Sequence, residues 1–265
     1  MKPTARSTGA LLAAGLCLVC VIAHGELRVW EGRGGGDTND WFNASNWSGG
    51  VAPEAGDTVT VNTPKAHVVL TNATPLLASF TIGANSSANT ATLTFTNWAT
   101  ALRAESVAIQ AYGTVACAGP FTNAPAMSNR VWIVCSNLTL SANGKIDVNK
   151  KGYAAYSGPG AIASGNFWGG SHGGVGGNIA GVAPYGSDEY PDTPGSGGAG
   201  NGSAGGAVRI EADGLVTING TVSADGVYAS RGTTYGSGSG GSVWITCGTL
   251  AGTGGVVTAN GGPVG

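Results

Sequence analysis

Hydrophobic and polar residues alternate in several short segments of the chain. In residues 131–135 (Val-Trp-Ile-Val-Cys) the first, third and fifth side chains would share one face of a strand, and the other two the opposite face. Residues 208–212 and 243–247 repeat the pattern, each with Val, Ile and a small residue on the inward face. A period of two is typical of a half-buried β-strand. The pattern therefore predicts strands with one dry face.

These segments begin longer copies of one unit. Residues 131–135 are followed by a second apolar run at 138–140 and, past a glycine corner, by a third at 144–148; a partial copy precedes them at 107–117. In stacked copies, equivalent residues lie one strand spacing apart, about 4.8 Å. The sequence therefore predicts an all-β chain folded as a parallel β-helix, a solenoid, with glycine-rich insert loops.

The glycines leave a second architecture open. Asp225-Gly226 and Asn260-Gly261-Gly262 end two of the copies, and such pairs are also typical of two-residue hairpins. An antiparallel β-meander or sandwich is therefore the alternative. The parallel arrangement is favoured because columns of equivalent residues need a fixed register, which short stacked copies supply.

The composition divides the chain into five parts. Residues 1–25 have the basic start, apolar run and small-residue cleavage site of a secretory signal peptide, an uncleaved anchor being the alternative. Residues 26–100 are predicted to form an N-terminal cap and the first turns of the solenoid, and 101–151 and 207–265 its further turns, the last of them truncated. Residues 152–206 form a glycine-rich insert with too few aliphatic side chains for a core of its own. This insert is predicted to be either a disordered loop or polyproline-II-like glycine strands packed on the flank of the solenoid.

Charged residues are sparse, and this limits the kinds of partner that the protein is expected to bind. Charged residues are 10% of the chain, and removing Lys2 and Arg6 with the signal peptide changes the net charge from −2 to −4. Nucleic-acid binding needs clustered Lys and Arg, so no nucleic-acid partner is expected. The N-terminal apolar run is shorter than the roughly 20 residues of a spanning helix. We therefore expect no membrane span in the mature chain and a secreted or cell-surface location.

The three cysteines outside the signal peptide do not suggest a disulfide framework or a zinc site. Cys117, Cys135 and Cys247 are odd in number and far apart in sequence. In stacked copies Cys135 and Cys247 would be separated by Ala212, about 9–10 Å apart and beyond disulfide reach. They are predicted to be small buried hydrophobic residues.

Polar and aromatic residues in the insert are the candidate binding residues: His172, Asp188, Glu189, Asp192, Trp168, Tyr185 and Tyr190. Aromatic side chains beside polar loops can stack on sugar rings, although packing on the flank of the scaffold is the simpler interpretation. The three carboxylates supply the oxygens that calcium takes, but their spacing matches no calcium loop. We therefore predict no cofactor and no metal site, with calcium as the alternative.

One stretch has the form of a catalytic motif. Residues 169–173 (Gly-Gly-Ser-His-Gly) match the Gly-x-Ser-x-Gly pattern of a nucleophile elbow. That elbow needs a strand before the serine and a helix after it, and neither flank has such a pattern. No catalytic residue is predicted.

The N-terminal part resembles a known group of proteins. Residues 40–53 (Asp-Trp-Phe-Asn-Ala-Ser-Asn-Trp-Ser-Gly-Gly-Val-Ala-Pro) and 56–61 resemble the N-terminal module of bacterial secreted β-strand-repeat proteins, which include autotransporter-type and parallel β-helix surface proteins. Residues 240–245 and 258–262 are similar to the glycine-rich turns of such proteins. The resemblance implies an adhesin-like surface scaffold and supplies no catalytic motif.

These observations predict a structural, adhesion-type protein that presents loops to extracellular glycans or matrix, and they favour this over an enzyme. The alternative is a carbohydrate-binding module or a polysaccharide-degrading enzyme on a β-helix. An enzyme would need charged groups converging on one face, for which Arg209, Glu211 and Asp213 are the nearest candidates.

Overall fold

The structure is a computed structural model that describes residues 25–33, 39–163, 167–177, 182–228 and 236–263. Regular structure in these ranges is almost entirely strand. The strands are β1 (Leu27–Val29), β2 (Thr58–Val61), β3 (His67–Leu70), β4 (Leu77–Ile82), β5 (Ala91–Phe95), β6 (Leu102–Ile109), β7 (Gly113–Cys117), β8 (Val131–Leu140), β9 (Lys145–Asp147), β10 (Ala207–Ala212), β11 (Leu215–Ile218), β12 (Thr221–Ser223), β13 (Ser242–Thr246), β14 (Thr249–Ala251) and β15 (Val256–Thr258). The helices within the same ranges are three short 3-10 turns, at Ala44–Asn46, Ser48–Gly50 and Ser87–Asn89.

The strands form two sheets, and every pairing between the named strands is parallel. The larger, nine-stranded sheet has the order β1-β2-β4-β6-β8-β10-β13, with β11 beside β8 and β14 beside β11. The smaller, six-stranded sheet has the order β15-β12-β9-β7-β5-β3. From β2 to β10 successive strands alternate between the two sheets. Each connection therefore carries the chain from one sheet to the other.

The register pairs the residues that the sequence pattern aligns. Val208 pairs with Val131, Ile210 with Ile133 and Ala212 with Cys135. The alignment of these copies is confirmed, and the alternating positions explain why. Inward-facing side chains from both sheets are fully buried and belong to one hydrophobic cluster. The core therefore lies between the sheets.

This arrangement corrects the fold predicted from the sequence. The sequence predicts a parallel β-helix, a solenoid of three-strand copies with glycine-rich insert loops. The structure instead has two parallel sheets, of nine and six strands, with almost no helix. The first two runs of a copy belong to the same sheet. In residues 131–140 they form one continuous strand, because Ser136 and Asn137 stay extended between them. The alternative antiparallel meander or sandwich is also wrong, since the strands pair in parallel.

The glycine-rich segment is packed and is not a disordered loop, which was one of the two forms predicted for it. Residues 194–199 and 204–206 are buried. Their backbone groups bond to neighbouring segments: the amide of Gly205 donates to the Ser239 carbonyl at 3.0 Å, and the amide of Gly195 donates to the Gly205 carbonyl at 3.0 Å. A β-carbon on Gly205 would lie 1.8 Å from the carbonyl oxygen of Ala224. Glycine is required here because adjacent backbones meet directly.

Three indole side chains pack together near the start of the described chain. Trp30, Trp41 and Trp47 are almost fully buried, with ring centroids 5.1 Å apart for Trp30 and Trp47 and 4.8 Å apart for Trp41 and Trp47. The Trp47 indole nitrogen donates to the Trp41 carbonyl at 2.6 Å. Edge-to-face pairs of this kind add to the stability that burial gives. The cluster closes the core beside the first strands of the larger sheet.

Some predictions fall on residues that the structure does not describe. Residues 1–24 of the predicted signal peptide, and residues 264 and 265 at the predicted truncation, lie outside the described ranges. In the part of the chain that is described, no helix has both the length and the apolarity needed to cross a membrane.

Candidate functional site

An open cleft of about 1400 Å³ lies beside the end of the two sheets. Its walls come from two glycine-rich stretches, residues 167–177 and residues 236–243, and from residues 184–191. Its floor includes Val257 and Thr258 of β15. Glycines are 13 of the 29 lining residues, so that ligand atoms could approach the backbone closely at many points.

Four aromatic or imidazole side chains line this cleft. They are Phe167, Trp168, His172 and Tyr185, and Phe167 is 50% exposed. The rings of His172 and Tyr185 lie 4.9 Å apart. The sequence prediction placed His172, Trp168 and Tyr185 among the binding residues, and the structure brings these three together. Phe167, another aromatic residue of the same insert, completes the set.

His172 is held by both ring nitrogens. Nδ1 lies 3.0 Å from the carbonyl oxygen of Gly240, and Nε2 lies 3.0 Å from the hydroxyl of Thr193. Burial lowers the pKa of the imidazole, although the bond to Gly240 opposes this. A neutral ring with both nitrogens engaged joins two walls of the cleft. It is not available as a proton donor or metal ligand without losing those contacts.

Tyr185 closes the base of a short loop. Its hydroxyl donates to the carbonyl oxygen of Pro194, which lies nine residues further along the chain. Burial raises the pKa of the phenol, so that it stays protonated and can act as this donor. We call residues 186–192, which lie inside this closure, the wall segment. Gly186, Ser187, Asp188 and Pro191 of the wall segment line the cleft.

The acidic residues of the wall segment do not converge. Asp188 and Glu189 are exposed, and Asp192 lies near Arg130, with 3.9 Å between Oδ2 and Nη1. Asp188 is the one carboxylate in the described lining of the cleft, which has no Lys or Arg. In the described ranges, no three His, Cys, Asp or Glu side chains are grouped as metal ligands.

A stacked row of tryptophan and arginine side chains crosses the outer face of the larger sheet. Arg130 lies over the rings of Trp98 and Trp132, at 4.5 and 4.6 Å from their centroids. Arg209 lies over Trp132 and Trp244, at 5.2 and 4.6 Å. We call these five residues the Trp–Arg ladder. Its middle is set by register, because Arg209 pairs with Trp132 on one side and Trp244 on the other.

Glu211 and Asp192 balance the charge of the ladder. Glu211 accepts a hydrogen bond from the Trp132 indole at 3.2 Å and pairs with Arg209. Asp192 lies beside Arg130, whose side chain is 6% exposed and donates from Nε to the Trp98 carbonyl at 3.1 Å. Of the outward charges named for an enzyme, Arg209 and Glu211 therefore serve packing. Asp213 is exposed in the bend that follows β10.

The sequence analysis placed Trp132, Arg209 and Trp244 on the outward face but did not predict the ladder. Its far end depends on Trp98 and Arg130, which lie outside the alternating pattern. The remaining candidate, Tyr190, also reaches this surface: its ring lies 5.8 Å from that of Trp244 in an edge-to-face contact. The middle of the ladder could have been predicted, because Trp132, Arg209 and Trp244 occupy the same outward position in the three aligned copies.

Ser171 does not have the surroundings of a nucleophile. It is fully buried, and its hydroxyl accepts a hydrogen bond from the amide of Gly176 at 3.0 Å. The side chain of His172 is directed to Gly240 and Thr193 instead. Residues 167–170, directly before Ser171, are not a strand, and residues 172–177, directly after it, contain no helix. The elbow pattern at residues 169–173 is thus a packed glycine-rich turn.

Comparison with known proteins adds no family assignment. No protein-family model matches the chain. Comparisons with curated proteins and with solved structures also gave no match. The geometry of the cleft and of the ladder is therefore the basis for a functional proposal.

Proposed function

We propose that this chain is a secreted or cell-surface protein of structural, adhesion type that binds uncharged extracellular glycans in the cleft. The observation that carries the proposal is the set of aromatic rings among glycine walls, on a rigid two-sheet stack. Aromatic faces provide apolar area that can pack against the C–H face of a sugar ring. The exposed backbone of the glycine walls supplies donors and acceptors for hydroxyl groups.

The charge of the lining supports an uncharged ligand. The described lining has one carboxylate, Asp188, and no Lys or Arg that could pair with a uronate or sulfate group. His172 has a lowered pKa and is neutral at physiological pH. A polyanionic chain would therefore leave its charges without partners in the cleft, at a cost in desolvation. Neutral hexose or N-acetylhexosamine chains carry no such cost.

Binding without cleavage is supported by the distribution of the acids. Glycoside hydrolysis commonly uses two carboxyl groups about 5–9 Å apart across the bond that is broken. Asp188 has no carboxylate partner in the described lining, and Asp192 lies against Arg130. The lining can hold a chain, but it presents no acid–base pair.

A glycan array with the mature chain tests the proposal, followed by affinity measurements on the glycans that bind. Phe167→Ala removes an exposed ring from the cleft, and Phe42→Ala removes one that is 37% exposed elsewhere. We expect the first change to weaken binding about five- to thirtyfold, the equivalent of about 1–2 kcal/mol for one stacked ring. The second should leave binding unchanged.

Two results would contradict glycan binding without cleavage, and a third would contradict the placement of the site in the cleft. One is the absence of binding to any glycan on the array by the folded wild-type chain. The other is the release of soluble products from a polysaccharide, which would establish an enzyme instead. An equal loss of affinity in both phenylalanine variants would show that the cleft is not the site.

A further inference from the structure

We propose that Arg130 and Trp244 of the Trp–Arg ladder are positioning residues for the cleft, because they hold its wall segment in place through Asp192 and Tyr190. This inference rests on the proposed function. The wall segment has two sides: Ser187, Asp188 and Pro191 line the cleft, whereas the other side meets the sheet.

Fixed contacts close the base of the wall segment. The Tyr185 hydroxyl donates to the Pro194 carbonyl. The Thr193 hydroxyl bonds to His172 at 3.0 Å, and the Thr193 carbonyl accepts from the Ser242 hydroxyl at 2.7 Å. Compact loops with neighbouring ends depend on their own side chains to fix the part between. These contacts fix residues 185 and 193–194. They do not fix residues 187–192 between them, which we call the tip of the wall segment.

The tip is held from the ladder side. The Asp192 carboxylate lies 3.9 Å from the Arg130 guanidinium, and the Tyr190 ring meets the Trp244 ring at 5.8 Å. We call these two contacts the latch. Within the tip, the Ser187 hydroxyl accepts from the amides of Glu189 and Tyr190 at 3.2 and 2.9 Å. These bonds shape the tip but do not attach it to the sheet.

The two anchors of the latch are themselves rigid. Arg130 is stacked between Trp98 and Trp132 and donates to a main-chain carbonyl, so its guanidinium has one orientation. Trp244 is stacked on Arg209, which the strand register fixes. A guanidinium held in this way loses little entropy when it pairs with a carboxylate. The ladder therefore fixes the position of the wall segment relative to the larger sheet.

Substitution of Asp192 tests the latch without replacing the stacked Arg130 side chain. Asp192→Asn removes the charge, and Asp192→Glu keeps it on a side chain one methylene longer, for which the 3.9 Å gap leaves room. Glu105→Gln is the control for removing a carboxylate charge, since Glu105 is exposed on β6, outside the wall segment, and is not among the lining residues. Each variant is compared with the wild-type mature chain.

Two readouts are needed. The first is the NMR shift of the Tyr190 ring protons, which the Trp244 ring displaces when the latch is closed; it requires no ligand. The second is the affinity for a neutral glycan that the wild-type chain binds on the array. We expect Asp192→Asn to move the Tyr190 shifts toward random-coil values and to weaken glycan binding about fivefold, the upper effect of one partly exposed ion pair. Asp192→Glu should preserve both, and Glu105→Gln should alter neither.

The outcomes separate this inference from the proposed function. Unchanged Tyr190 shifts in Asp192→Asn overturn the latch, whatever the glycan result. Shifts that move while affinity stays constant overturn the positioning role. If the wild-type chain binds no glycan, the proposed function fails, and the Tyr190 shifts still decide whether the ladder holds the wall segment.

Discussion

Replacing Gly205 by alanine tests whether the glycine-rich segment is a packed part of the fold. A β-carbon on Gly205 would lie 1.8 Å from the Ala224 carbonyl oxygen and 2.5 Å from the Gly241 nitrogen. Ordinary contact begins near 3.4 Å, so the neighbouring backbones must separate by more than 1 Å. Such a movement cannot be absorbed by a side-chain rotation, because the obstructing atoms are backbone.

The cost follows from the hydrogen bonds that cross this point. The Gly205 amide donates to Ser239, the Gly205 carbonyl accepts from Gly195, and the Gly241 amide donates to Ala224. Each bond contributes about 1 kcal/mol net, and overpacking adds about 1–3 kcal/mol. Gly205→Ala should therefore lower the free energy of unfolding by about 4–6 kcal/mol, a large share of the stability of a domain.

Gly177→Ala is the matched control. The change is the same, but a β-carbon on Gly177 would meet nothing within 4 Å. We expect the free energy of unfolding to change by less than about 1 kcal/mol, because restricting the unfolded chain is the main effect. Urea unfolding of the mature chain, followed by far-UV circular dichroism, measures both variants against the wild type. If Gly205→Ala unfolds at the same urea concentration as Gly177→Ala, the packing described for residues 195–206 is wrong.

The remaining predictions concern titratable groups. Burial raises the pKa of Cys117 and of Cys135 to about 12. Iodoacetamide at pH 8 should therefore modify only the partly exposed Cys247 in the folded mature chain, as mass spectrometry would show. Rapid labelling of either buried thiol would refute this. The pKa of His172 is lowered in the folded state. The neutral His172 ring therefore makes its full contribution to the free energy of unfolding above pH 6.5, the ordinary pKa of histidine. That contribution is lost as the pH falls from 6.5 toward the folded-state pKa. The urea midpoint of the wild type should therefore fall faster below pH 6.5 than that of His172→Gln, and parallel pH profiles would contradict the assignment.

The register of the strands could be predicted because side-chain alternation carries it. Val131, Ile133 and Cys135 recur as Val208, Ile210 and Ala212, and a shift of one residue would turn the apolar set to solvent. The same pattern could not distinguish a three-strand copy from a continuous strand. In residues 131–140, two polar residues that resembled a turn stay extended within β8.

The packing of the glycine-rich segment could not be predicted from an apolar pattern. Glycine has no side chain, so a stretch that packs by backbone contact has the same composition as a solvated loop. The sequence therefore left two forms open for residues 152–206, a disordered loop or packed glycine strands, and Gly195 and Gly205 are buried and hydrogen-bonded. The positions of close approach depend on which backbones become neighbours, and that is a property of the three-dimensional path.

The candidate site was predictable in part, for a related reason. Trp168, His172 and Tyr185 were identifiable as aromatic and imidazole side chains in a polar setting, and they line one cleft. The partners that fix them were not identifiable, because Thr193 and Gly240 approach His172 only after the chain has turned back on itself.

Two kinds of glycine in this protein differ in the freedom they leave to sequence change. Gly174 and Gly177 face open space in the cleft, so a side chain added there would project toward a ligand rather than into the protein. Gly205 offers no such room, since any side chain strikes a neighbouring backbone. Variation of the open glycines could thus alter what is recognised while the packed ones preserve the scaffold, which makes the open positions the natural choice for a library of new specificities.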